Sequence, residues 1–214
     1  MQRPQAIVFD LGKVLLDFDY ARLARNMEEH CGISFEELLG LLNQSQLLHR
    51  YETGLLTSQA FFEEVKRASK FRYDFAKFEP LFADIFTPIP EMIELQQRLQ
   101  RNGVPTYIFS NTNEIAVNHI RRTFPFFRDF SGYIFSCEQR CMKPDPRIYE
   151  IVEKSSRCRG PEILYIDDRP DNVETANQRG WQTILHVDPK PTISRVNELS
   201  SVSPLQDVTA AKRP

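Results

Sequence analysis

Apolar positions along the chain fall into short continuous runs separated by stretches with helical spacing. Ala6-Ile7-Val8-Phe9 has the length and composition of an interior parallel strand, apolar on both faces. Pro105-Thr106-Tyr107-Ile108-Phe109, Tyr133-Ile134-Phe135, Glu162-Ile163-Leu164-Tyr165-Ile166 and a shorter Thr183-Ile184-Leu185 read the same way. Helical spacing covers residues 91–101, 114–122, 147–155 and 173–179 between and after these runs. The first of these helices closes at Asn102-Gly103, where glycine suits the left-handed residue that ends a helix. Strands alternating with helices predict a βαβ succession and a parallel sheet.

One long stretch breaks the alternation. From Asp19 to about Phe86 the pattern is helical throughout, in patches beginning near Arg22, Phe35, Ser58 and Phe75. Ser34 and Ser58 stand where N-caps belong, and Ser34 with Glu37 makes a capping box. The predicted fold is therefore α/β: a Rossmann-like parallel sheet core, residues 1–18 and 87–199, with an inserted helical cap, residues 19–86. The many Phe and Leu residues of the insert read as its own core. Beyond Leu199 the Ser-, Pro-, Ala- and Lys-rich composition predicts a disordered tail over residues 200–214.

Composition narrows the function classes. At 214 residues and 41% hydrophobic, the chain has enough apolar surface for a substantial core without staples. Its net charge of −2, with Lys and Arg scattered, lacks the basic footprint of a nucleic-acid binder. Cys31, Cys137, Cys141 and Cys158 form no Cys-x-x-Cys pair, and the four His residues are dispersed, so neither zinc nor a disulfide framework is indicated. The short lead-in before Ile7 and the lack of an apolar run near the ~20 residues of a membrane span imply a soluble, cytoplasmic protein with no membrane partner. The sequence carries no signal for an oligomeric state.

Candidate chemistry sits at the ends of the apolar runs. Asp10 with Gly12 follows the first, Ser110 with Asn111 the second, Lys143 lies in the loop after the third, and Asp167 with Asp168 follows the fourth. Parallel strands would bring all four clusters to one sheet edge, where ligands bind in open α/β sheets. The set comprises a carboxylate nucleophile, a hydroxyl donor, a fixed ammonium and an acidic group able to hold a hard cation. Those are the parts needed to transfer a phosphoryl group through an aspartyl phosphate, with Mg²⁺ and the lysine neutralising phosphoryl charge.

Over residues 5 to about 187 the chain resembles the haloacid dehalogenase-like hydrolase superfamily. Phe-Asp-Leu-Gly-Lys-Val, Phe-Ser-Asn-Thr, Met-Lys-Pro-Asp and Tyr-Ile-Asp-Asp-Arg-Pro-Asp-Asn resemble its four motifs in order, and the insert resembles its C1 type of cap. Within the superfamily the chain resembles the bacterial α-D-glucose-1-phosphate phosphatase group and the phosphatase domain joined to soluble epoxide hydrolases. The resemblance implies that Asp10 is the nucleophile, that Ser110 and the Asn111 amide hold the phosphate, and that Lys143 fixes both. It implies Mg²⁺ held by the Asp10 carboxylate, the Gly12 carbonyl and the Asp168 carboxylate, with Asp167 in reserve or behind. A small phosphorylated metabolite, a sugar phosphate, is the implied substrate.

One departure matters: phosphatases of this type place a second Asp two residues after the nucleophile, and here that residue is Gly12. A general acid is commonly worth about 10² to 10⁴ in rate, so slow turnover of poor leaving groups is expected. Asp17 and Asp19 read as helix caps or as substitute proton donors, Lys13 as a site cation or a turn residue, and the segment Arg50-Tyr51-Glu52-Thr53-Gly54 as specificity groups over the site, with Tyr51 alternatively packing. Two rival functions follow from Gly12. One is a 2-haloacid dehalogenase, whose leaving halide needs no proton; the other is a catalytically weak binding protein on the same fold.

Overall fold

The computed structural model describes residues 2–200. Strand β1 (Ala6–Phe9) leads through a tight turn to β2 (Leu16–Phe18) and then into five helices: α1 (Tyr20–Glu28), α2 (Phe35–Leu42), α3 (Gln46–Glu52), α4 (Ser58–Ser69) and α5 (Phe75–Ala83). The chain returns through β3 (Phe86–Pro88) to α6 (Pro90–Arg101), β4 (Thr106–Ser110), α7 (Glu114–Thr123), β5 (Gly132–Phe135) and the short α8 (Ser136–Gln139). It finishes with α9 (Pro146–Ser156), β6 (Ile163–Asp167), α10 (Pro170–Gln178), β7 (Gln182–Leu185) and α11 (Pro189–Ser200).

The main sheet has the order β5-β4-β1-β6-β7, and every pairing is parallel. Strand β1 is central, with Phe9 opposite Ile108 on one side and Ile166 on the other. All four of its residues are buried, as its unbroken apolar run predicts. Helices cover both faces over separate apolar layers, one around Ile7, Phe9 and Leu95, the other around Val8, Tyr149 and Tyr165. The α/β architecture expected from the alternation is the one observed.

Helices α1 to α5 gather around a core of their own, built on Phe61, Phe62, Phe71, Phe78 and Phe82. Burying each such ring is worth about 1.5–3 kcal/mol. Strands β2 and β3 pair antiparallel, Phe18 opposite Phe86, so the two segments that join the helical insert to the sheet form one ribbon. Ser34 caps α2 in the expected box with Glu37.

Several local expectations are corrected. Thr57 caps α4, its hydroxyl accepting from the Ala60 N–H, and Ser58 is the first helical residue. The helix expected over 75–86 ends at Ala83, because the chain must turn extended to pair with β2. Helix α3 was not foreseen: Ser45 caps it, but seven residues are too few to show a period. Ser200, expected in the tail, is the buried end of α11, while the rest of that tail lies outside the described residues. No helix among the described residues is long and apolar enough to cross a membrane.

Candidate active site

All the candidate groups hang from the carboxyl ends of parallel strands. Asp10 follows β1, Ser110 ends β4, Asp167 ends β6 with Asp168 next, and Lys143 is delivered by the loop between α8 and α9. The Asn111 side chain places that loop: its Nδ2 donates to the Lys143 carbonyl at 2.9 Å, and its Oδ1 accepts from the Lys143 N–H at 2.8 Å. A two-way amide lock therefore fixes the lysine backbone against the end of β4.

The Lys143 ammonium is buried and threefold bonded. It donates to the Phe109 carbonyl at 2.9 Å and lies 2.6 Å from Asp167 Oδ2 and 3.0 Å from Asp10 Oδ1. Burial pulls a lysine toward neutrality, but Asp10 and Asp167 outweigh it and hold this pKa above its ordinary value. The Asp167 carboxylate is saturated by protein donors: Lys143, the Tyr165 hydroxyl, Asn172 Nδ2 at 3.0 Å and the Arg169 N–H at 2.8 Å. Burial alone would raise its pKa; the Lys143 ammonium and these hydrogen bonds hold it below the usual carboxylate range. Asp167 is thus an anchor for Lys143.

Asp168 is its opposite. Its carboxylate accepts no hydrogen bond from any other described residue, and burial followed by the charge of Asp167 pushes its pKa up. The carboxylates of Asp10, Asp167 and Asp168 offer oxygens within 4.8 Å of one another. Asp10 Oδ1 takes both of that residue's side-chain contacts, from the Leu11 N–H at 2.7 Å and from Lys143, leaving Oδ2 without a partner among the described residues. Burial, with Asp167 and Asp168 adding to it against Lys143, pushes Asp10 up to about 8. With all three carboxyls ionised, as a bound cation would make them, the single ammonium leaves an excess of two negative charges. An all-oxygen donor set with that excess fits a hard divalent cation such as Mg²⁺.

A cavity of about 460 Å³ opens over these groups, lined by Asp10, Gly12, Ser110, Lys143 and Asp168 on one side and by Phe18, Tyr20, Asn43, Gln44, Leu48 and Glu52 on the other. The second set comes from β2 and the helical insert. A smaller recess of about 70 Å³ shares Gly12, Phe18, Tyr20, Glu52 and Ser110 and extends past Phe82, Ile85 and Phe86.

The space beyond Gly12 belongs to Phe18. A Cβ on residue 12 would stand 2.8 Å from Phe18 Cε1, closer than a carbon pair tolerates. Neither nearby aspartate substitutes for the missing side chain. Asp17 pairs with Lys13 and accepts from the Phe18 N–H, while Asp19 caps α1 and pairs with Arg25 at 3.0 Å. Both are capping or turn groups outside the cavity lining. Lys13 does line the cavity, its ammonium held by Asp17 at 4.6 Å from the Phe18 ring centroid. Tyr51 is packing: buried, it stacks on Phe61 at 4.3 Å, and its hydroxyl accepts from the Ile115 N–H at 3.1 Å.

Sequence reasoning missed Tyr165, Asn172 and Phe18, and it reached Glu52 only as part of the segment Arg50–Gly54 expected to face the site, with no role of its own. One signal was available: Tyr165 and Asp167 are two apart on one strand, so both project to the same face. Asn172 and Phe18 are placed by tertiary packing and left no local signal.

Comparison with known proteins agrees with the architecture. The family model for haloacid dehalogenase-like hydrolases matches residues 4–180. The chain is 34% identical over 77 residues to bifunctional epoxide hydrolase 2 of Rattus norvegicus, spanning 36% of this chain but only 13% of the rat protein. It is 22% identical over 198 residues to the sesquiterpene phosphatase astK of Aspergillus oryzae, covering 91% of this chain and 96% of that one. A haloacid dehalogenase-family enzyme of Bacteroides thetaiotaomicron, solved with magnesium and inorganic phosphate, superposes with a TM-score of 0.78 at 22% identity, covering 88% of this chain and 98% of its own.

Proposed function

The chain belongs to the haloacid dehalogenase-like hydrolase family, and on that premise we propose that it is a Mg²⁺-dependent phosphohydrolase working through an aspartyl phosphate on Asp10. The observation that carries this reading is the arrangement of one buried ammonium among three carboxylates, two of which have oxygens free of protein donors. A halide displacement has no use for a second, donor-free carboxyl group beside the nucleophile. The fungal relative named as a phosphatase and the bacterial neighbour solved with magnesium and phosphate support phosphoryl chemistry.

Asp10 and Asp168, with the Gly12 carbonyl, would hold the ion, which when bound neutralises charge on the phosphoryl oxygens. Asp10 Oδ2 is the attacking oxygen, since Oδ1 is held by Leu11 and Lys143. The Ser110 hydroxyl and the Asn111 N–H hold phosphate oxygens, and Lys143 aligns the nucleophile with the phosphate. Asp167 keeps Lys143 charged and in place. Water then hydrolyses the acyl phosphate and regenerates Asp10.

Residues 19–86 serve as the cap that closes the cavity and selects the substrate. The amides of Asn43 and Gln44 beside the rings of Phe18 and Tyr20 suit a small hydroxylated ring, so a sugar phosphate is the substrate class. The free thiols of Cys31, Cys137, Cys141 and Cys158 suit a reducing cytoplasm.

The test sets glucose 1-phosphate and glucose 6-phosphate, with and without Mg²⁺, beside 2-chloropropionate. Phosphate release that requires Mg²⁺ is expected, faster from glucose 1-phosphate because its leaving oxygen is less basic. Metal-independent chloride release would instead assign a dehalogenase, and no release from any substrate a binding protein.

A further inference from the structure

We propose that Glu52 is the proton donor and acceptor for the leaving oxygen and the hydrolytic water, in place of the side chain absent at Gly12. The proposal rests on the phosphohydrolase reading above. Four observations carry it.

Phe18 fills the volume in which a side chain on residue 12 would begin, so the proton must come from another direction. Glu52 faces the site from that other direction: it lines both the main cavity and the adjoining recess, each time with Gly12, Ser110 and Asn111. Its carboxyl makes no hydrogen bond to any described residue, so it has no structural engagement to break. Its position is also fixed, although it belongs to the helical insert. Ser136 Oγ donates to the Glu52 carbonyl at 2.6 Å while accepting from the Thr112 N–H at 2.9 Å. Next door, Gly54 adopts a φ of +71° and packs so tightly that a Cβ there would stand 2.1 Å from the Cys137 carbonyl oxygen. The end of α3 is thereby pinned to α8 and, through Ser136, to Thr112 just after Ser110 at the end of β4.

The electrostatic surroundings suit the task. Burial pushes Glu52 up to about 8, so the acid form is populated at neutral pH. Tyr20 on α1 faces it as a phenol that burial keeps protonated. Across the cavity stand Asp10, Lys13, Lys143, Asp168 and Arg169. From α4, Glu64 is engaged with Arg50 at 3.1 Å, and from α8 the Cys137 thiol is pushed up to about 11 by burial.

In the first half-reaction an Asp10 oxygen bonds to phosphorus, and the phosphorus–oxygen ester bond breaks with its electron pair passing to the leaving oxygen. Glu52 gives that oxygen its proton, so an alcohol departs and Glu52 becomes a carboxylate. In the second, a water oxygen bonds to phosphorus and loses a proton to Glu52, while the bond from phosphorus to Asp10 breaks with its pair returning to the carboxylate. Inorganic phosphate leaves, and both side chains are restored.

The test compares kcat/KM, which reports steps up to the phosphorylated Asp10, for 4-nitrophenyl phosphate and phenyl phosphate, two esters of similar shape and different leaving-group basicity. Glu52→Gln is expected to keep 4-nitrophenyl phosphate within about threefold and to lose about 10²-fold on phenyl phosphate. The parent's phenyl phosphate activity should fall above about pH 8, and that limb should vanish in the variant. Equal losses on both esters, or none on either, would overturn the proposal, the first pointing to substrate binding. If Glu52→Gln does not fold by circular dichroism, Glu52→Asp carries the same comparison, with the same selective loss expected. Asp10→Asn should abolish both activities; a parent chain releasing phosphate from neither ester sinks the phosphohydrolase reading and this one with it.

Discussion

Lys143 Nζ lies 2.6 Å from Asp167 Oδ2, and the two groups are the most deeply buried charges in the site. The same ammonium reaches Asp10 Oδ1 at 3.0 Å, so one lysine ties the end of β1 to the end of β6. Asp167 holds it there and has no capacity left for other work, whereas its neighbour Asp168 has no hydrogen-bonding partner among the other described residues. On the proposed function, hydrogen bonds alone divide these adjacent carboxylates, Asp167 to structure and Asp168 to ligand binding.

That division predicts opposite behaviour for two alanine variants. Asp167→Ala leaves a buried ammonium half-compensated and should cost about 3 kcal/mol in urea unfolding. Asp168→Ala removes an unpaired, partly buried charge and should leave metal-free stability within about 0.5 kcal/mol. Mg²⁺ should raise the melting temperature of the parent by several degrees and that of Asp168→Ala not at all. An undiminished Mg²⁺ shift in Asp168→Ala would move the ligand role elsewhere.

The contact between Phe18 and Gly12 predicts that installing the missing acid by Gly12→Asp fails on its own. The new Cβ must displace the Phe18 ring, which β2–β3 pairing and Tyr20 at 5.7 Å hold in place. A loss of about 1–3 kcal/mol is expected from overpacking, with no gain in kcat. Adding Phe18→Ala opens the space, so a double-mutant cycle should show at least about 1 kcal/mol of favourable coupling. Strict additivity would show that Phe18 does not occupy that volume.

Glu52 also predicts a pH dependence of stability. Its carboxyl titrates at about 8 folded and near 4.5 when exposed, so between those values the native state holds a proton that the unfolded chain has released. Stability attributable to this group is intact below pH 4.5 and falls as pH rises toward 8. Glu52→Gln should therefore unfold at higher urea than the parent at pH 8, by on the order of 2 kcal/mol, with the gap closing at pH 4. A gap that widens toward low pH would mean that the carboxyl is stabilised as the anion.

The parallel sheet and the four polar clusters were legible because each rests on a local signal: an unbroken apolar run and a change of composition where it ends. The run from Ile163 to Ile166, followed by two aspartates, is the clearest case. Which aspartate anchors Lys143 was not legible, since Asp167 and Asp168 are identical neighbours, one ending β6 and the other just past it, and differ only in what lies opposite. The ribbon of β2 and β3 escaped notice for a different reason. Each strand has three residues, and their partners lie about seventy positions apart, so neither period nor proximity marks them. Phe18 and Glu52 owe their places to that ribbon and to the pinning of α3. Of the two roles open for Asp17 and Asp19, the local one is observed: short acidic side chains beside free backbone N–H groups accept from them, Asp17 from Phe18 and Asp19 as the cap of α1.

The most direct measurement follows the phosphoryl group itself. The protein is mixed with Mg²⁺ and 4-nitrophenyl phosphate carrying radiolabelled phosphorus, quenched in acid within a single turnover, and digested. The account predicts label on the peptide containing Asp10 at early times, chasing into free phosphate, with no label and at least about 10³-fold slower release in Asp10→Asn. Phosphate release by Asp10→Asn at the parent rate, or release by the parent with no labelled peptide at any time, would contradict it.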